Sequence, residues 1–250
     1  MRKIAVVMVA ALLLVGVQEA AAQSWTDQIY INVGFGVESG SSDLNDTKTF
    51  TLYDEITTVN SSSAWSSGNL LDVSAGLRVW RNLSIGAGYH QENNTSSVQL
   101  AGTAPHPIFF NRPRSFTSET SGLERKETAT HLNLGWMIPI GTKVDVHLTA
   151  GPSFFRLQQG VVSDVLIAER GTPFTEVVVQ PTAATEKRSV AGYNVGLDLA
   201  FMVWQNDAVR IGVGGFVRMT GATTDVRLLA SDVETKVGGT QFGIGARLRF

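Results

Sequence analysis

The 250-residue chain has no cysteine. This excludes a disulfide scaffold, a thiolate metal centre and a lipid anchor on an N-terminal cysteine. Also missing is any apolar run of the roughly 20 residues that a helix needs to cross a bilayer. The longest such run, Ile4 to Val17, falls short. A surplus of basic residues is lacking too: the net charge is −2, which argues against a nucleic-acid partner.

The amino terminus is a targeting segment by composition. Arg2 and Lys3 precede the apolar run, and Ala20, Ala21 and Ala22 supply the small residues of a signal-peptidase site. Residues 1–22 are therefore expected to be an export signal cleaved after Ala22. Residues 23–250 form a single domain with no linker-like break in composition. Losing Arg2, Lys3 and Glu19 takes the mature charge to −3.

Through that domain the hydrophobic period is two. Ile29, Ile31, Val33, Phe35 and Val37 alternate with Tyr30, Asn32, Gly34 and Gly36. The same alternation recurs over 71–79, 83–90, 131–138, 144–154, 193–201, 209–218 and 241–250, giving eight segments. One face carries bulky apolar residues, the other glycine, small residues and charges of both signs. A soluble sheet would hide the bulky face and show water a polar one. Here the small polar face suits a narrow lumen, so the bulky face is expected to meet lipid.

The connections alternate as well. Arg81–Asn82, Pro139 to Lys143 and Trp204 to Asp207 are tight, whereas Glu38 to Asn69, Gln91 to Lys126 and Arg156 to Arg188 are long. Short turns belong to the periplasmic side of such a protein and long loops to the outside. Trp25, Trp80, Trp136, Trp204 and Phe250 fall at or near the inner ends of strands, as an interfacial aromatic girdle requires. The expectation is an all-β fold: a closed antiparallel transmembrane β-barrel of about eight strands, an up-and-down meander with long extracellular loops. Thr47 to Asn60 and Val161 to Gln180 are rich in strand formers and are expected to extend hairpins above the membrane.

The closing segment Gln241 to Phe250, with Phe242, Ile244, Ala246, Leu248 and Phe250 on one face, resembles the C-terminal assembly signal of bacterial outer-membrane barrels. The layout as a whole is similar to the small OmpA/OmpX-type family. The resemblance implies a Gram-negative outer membrane and contact with its lipid and lipopolysaccharide. It also implies delivery by periplasmic chaperones to the barrel assembly machinery. It implies no cofactor, and the external partner is left open.

Several constellations could carry chemistry. Asp72, Arg78, Asp145, His147, Asp198, Arg210, Arg218, Arg247 and Arg249 take inward parity and predict a lumen network of ion pairs. His90, Glu92 and His131 lie at the outer mouth with ligand chemistry suited to Zn²⁺, solvated histidines being the plainer reading. His147 and Thr149 echo the serine-histidine-acid site of lipid A deacylases, with threonine where a serine belongs. Phe109, Phe110, Arg112, Arg114 and Phe116 mix aromatics with arginine in one loop, a composition enriched at contact surfaces. Asp43, Asp46, Asp54 and Glu55 match no EF-hand spacing. The favoured reading is a non-enzymatic barrel acting in surface interaction or envelope integrity. A narrow small-solute or ion channel is second and a lipid A-modifying enzyme third.

Overall fold

The computed structural model describes residues 25–66 and 68–250, so the expected signal segment lies outside the described residues. The described part is an all-β antiparallel sheet of eleven strands. They are β1 (Ile29–Ser39), β2 (Ser42–Leu52), β3 (Glu55–Trp65), β4 (Gly68–Trp80), β5 (Leu83–Ala104) and β6 (Arg114–Ile140). They continue with β7 (Val144–Glu169), β8 (Val177–Gln205), β9 (Arg210–Arg227), β10 (Asp232–Val237) and β11 (Thr240–Arg249).

Eight of these form a ring: β1 pairs with β4, the neighbours follow through β5, β6, β7, β8 and β9 to β11, and β11 pairs back onto β1. At the seam Phe35 faces Ile244 and Val33 faces Ala246, while Phe250 exchanges backbone hydrogen bonds with Ile29. The ring therefore has no open edge along which to unravel.

The strand count exceeds the expected eight because much of the sequence read as loop is strand. β5 and β6 stay paired out to Ala104 and Arg114, and β7 and β8 out to Glu169 and Val177. β2 and β3 form a hairpin whose second strand adds to the outer part of β5. A fourth outer connection, unmarked in the sequence reading, is the β9–β10 hairpin, in which Arg227 pairs with Asp232. The strand-former runs 47–60 and 161–180 do extend hairpins, as expected. The inner turns are short, and Gly141 takes the positive φ of 65° that one of them requires.

The two ends of this structure have opposite insides. Along the inner half the apolar side chains point outward: Val33, Leu77, Ile85, Leu134, Leu199, Val213 and Ile244 are all exposed. Along the outer half they point inward, and Leu44, Val59, Trp65, Leu100, Phe116, Leu157 and Val226 form a buried core. The chemistry of the inward face changes along the strands. On β6 the inward positions run through the odd-numbered Asn133, His131, Glu127 and Arg125 to the apolar Leu123, and beyond Gly122, at a φ of 75°, they pass to even numbers with Phe116.

The inner half is filled by side chains rather than left hollow. A Cβ on Gly76 or Gly86 would collide with the Tyr30 ring, and one on Gly34 or Gly243 with Phe216. These glycines make room for bulky residues reaching across a narrow interior. Trp25, expected in the girdle, is instead 1% exposed and packs with Tyr30 and Met137 at the inner end. Trp80, Trp136 and Trp204 do face outward.

Candidate functional site

The expected lumen charges meet one another across the ring. Arg247 donates to Asp198 at 2.5–3.0 Å. Arg218 pairs with Asp72, and Arg210 joins Asp27 to Asp145. Arg249 donates to Asn32 at 2.7 Å and lies 3.7 Å from Asp145. Arg78 pairs with no acid in this set; its guanidinium donates to the backbone oxygen of Trp25 and helps hold the inner end shut. Buried charges require such partners, and these link strands far apart in sequence.

His147 does not engage Asp145. It sits 3.1 Å from Ser84 Oγ through Nε2 and edge-on to Tyr30 at 4.8 Å. Ser84 and His147 are both buried, and the described contacts bring no carboxylate to His147 to orient it as a base. The His147–Thr149 echo of a hydrolase therefore gives way to a packed polar pair inside the ring.

The outer mouth is richer than the sequence suggested. The observed register sets His131 opposite Gly88 and His90 opposite Ala129, two residues from the level alignment. The rings still meet, at 4.9 Å between centroids, because Gly88 offers no side chain in between. His90 Nδ1 and His131 Nε2 are 2.8 Å apart, and His131 Nδ1 is 2.7 Å from Ser153 Oγ.

The other face of His90 does not look at Glu92 as expected. Its Nε2 lies 3.9 Å from both Glu38 Oε2 and Glu127 Oε1. Gln241 Nε2 donates to Glu38 at 2.7 Å, and Arg125 donates to Glu127 at 3.2 Å and to the Lys236 carbonyl at 2.8 Å. Glu92 occupies the neighbouring space, where a Cβ on Gly68 would strike its carboxylate. Glu38, Glu127, Arg125 and Gln241 were missed as members of this group. Parity could have found the acids, since Glu38 continues the Tyr30–Gly36 face and Glu127 the His131 face.

At the far end the aromatic and arginine loop divides. Phe109 and Phe110 are 54% and 71% exposed, beside Ile108 at 65%. Arg112 stacks over the Phe109 ring at 5.5 Å. Phe116 is buried in the outer core. Arg114 forms a two-pronged bond to Glu169, 2.6 Å on each side, and also donates to the carbonyls of Pro105 and Phe174. The Arg114 hydrogen bonds hold the Glu169 carboxyl below its ordinary range.

The acidic residues of β2 and its turn scatter. Asp46 accepts hydrogen bonds from Ala230 and Ser231, tying β2 to the β9–β10 turn. Glu55 accepts from the Asn111 amide, joining two tips. Asp43 and Asp54 are exposed.

A family model described as the outer membrane protein beta-barrel domain matches residues 7–250. The chain belongs to this family. The family's location, the outer membrane of Gram-negative bacteria, accounts for the outward apolar belt, which a lipid bilayer covers. No curated protein matches the sequence. Solved structures similar in fold include Neisserial surface protein A, at 12% identity and a TM-score of 0.44, covering 89% of this chain and 97% of that one. OprG of Pseudomonas aeruginosa aligns at 12% and 0.45, covering 90% and 96%. Ail, the attachment invasion locus protein of Yersinia pestis, aligns at 11% and 0.39, covering 88% and 99%.

Proposed function

We propose that the eight-strand ring is a closed membrane-spanning barrel that serves as a rigid base, and that the chain acts by surface contact through the β-extension standing on it. The observation that carries this reading is the tip itself. Ile108, Phe109 and Phe110 are exposed at the end farthest from the lipid belt, with Ile56 on the adjoining β3 tip. Exposed apolar groups grouped at one place mark an interaction surface. Arg112 beside Phe109 adds the cation and aromatic pairing common in contact residues.

The filled interior argues against a conducting channel. Tyr30, Phe216 and the Arg–Asp pairs occupy the lumen, and the apolar core stands above them. Enzyme activity is disfavoured because Ser84 and His147 are sealed from both water and lipid.

The test compares cells displaying equal surface amounts of the native chain and of a Phe109→Ser, Phe110→Ser variant. Adhesion to protein-coated and hydrocarbon-coated surfaces is expected to fall several-fold in the variant. Equal adhesion, at equal surface amounts, would remove the tip from the function.

A further inference from the structure

We propose that Glu38, His90 and Glu127 bind one divalent transition-metal ion of the zinc type where the polar lumen meets the apolar outer core. One ligand atom from each lies within 4.8 Å of the other two, and all three residues are buried. They come from β1, β5 and β6, so an ion there would fasten three strands of the ring.

Three independent features favour a cation in this position. The first is charge: Glu38, Glu92 and Glu127 are buried around the His90 imidazole, with the Arg125 guanidinium bonded to Glu127. With all three carboxyls ionised, one guanidinium leaves two negative charges for a divalent ion to balance, and buried charges require pairing or coordination.

The second is an orphaned acceptor. Glu127 Oε1 is buried without a hydrogen-bond partner and faces His90 Nε2 at 3.9 Å. That spacing is too long for a hydrogen bond. It is only slightly wider than the roughly 3.3 Å that separates neighbouring donors around a tetrahedral zinc, so a small inward movement would close the shell.

The third is the support behind His90. When His90 Nδ1–H donates to His131 Nε2, and His131 Nδ1–H donates to Ser153 Oγ, the Nε2 lone pair of His90 is left on the side of the two carboxylates, with the Gln241 amide nitrogen 3.3 Å away. A ligating histidine whose second nitrogen donates to a fixed acceptor is the usual arrangement in metal sites. An imidazole among carboxylates favours zinc-like ions over calcium or magnesium. A small cleft lined by Gly40, Ser42, Glu92, Arg125 and Lys236 reaches Glu38.

The experiment uses untagged mature chain refolded in detergent, stripped with chelator and titrated with zinc chloride by calorimetry. One zinc per chain is expected. Glu127→Gln should weaken binding by at least about tenfold, and His106→Gln, which removes an imidazole at the outer tip, should leave it unchanged. The absence of saturable binding by the native chain overturns the site. So does affinity that survives Glu127→Gln and falls with His106→Gln. Should Glu127→Gln lose its heat-modifiable migration, the X-ray absorption spectrum of the zinc-loaded native chain decides. One imidazole with oxygen ligands supports the assignment, and two or more imidazoles overturn it.

Discussion

Phe154 and Phe155 are adjacent on β7 and stand on opposite walls, the first 52% exposed and the second 2%. Phe154 is the last bulky residue of the outward belt, followed on that face by Arg156 and Gln158. Phe155 is the first bulky residue of the inward core, edge-on to His90 and His131 at 6.2 and 6.4 Å. The phenylalanine pair therefore marks the level at which an apolar outer wall gives way to a polar one, and a polar interior to an apolar one.

Phe155→Ala should cost about 3 kcal/mol or more, as buried aromatic truncations do. Phe154→Ala should cost much less in detergent, since the micelle covers either side chain. Guanidinium unfolding of the refolded chain checks this, and equal losses would contradict the assigned walls.

Removal of Phe250 should block assembly more than export. Its backbone closes the seam against Gln28 and Ile29, and its ring faces outward at the inner rim. The readout is mature, heat-modifiable protein in the outer membrane against the periplasmic pool. Undiminished outer-membrane protein would show that this residue is dispensable.

The membrane half of this architecture was legible because strict alternation survives in a ring with a lipid outside. The outer half was harder to read. There the apolar residues move to the other face, and on β6 the parity itself shifts beyond Gly122, so a segment such as Gln91 to Lys126 loses its belt signature and resembles a loop. The Phe154–Phe155 doublet was the visible trace of that change. Pairing partners such as Glu38 with Gln241 depend on register, which alternation leaves free by two residues at a time.

Glu169→Gln should loosen the tip by about 1 kcal/mol near neutrality. The folded Glu169 carboxyl is held low by Arg114, so its contribution is complete above the ordinary glutamate range and is lost as pH falls through the lowered value. Hydrogen exchange over 105–113 and 170–176 should therefore differ between native and variant chains at pH 7, with the difference shrinking in acid. A constant difference down to pH 3 would refute the ion pair.

Trypsin added to intact cells should cut first after Arg170, which is exposed in the β7–β8 tip, and spare Lys143 in an inner turn. Paired strands protect most of the remaining outer chain. Early cleavage after Lys143 would invert the orientation.

The most direct measurement exploits the absence of cysteine. Single cysteines at the outward β7 positions Val146, Leu148, Ala150, Phe154, Arg156 and Gln158 can each carry a spin label in lipid vesicles. The account predicts that oxygen, which partitions into lipid, relaxes labels from Val146 to Phe154 most strongly. A water-soluble nickel complex should take over at Arg156 and Gln158. Nickel accessibility along the whole series would contradict a lipid belt ending at Phe154, and with it the two-part architecture.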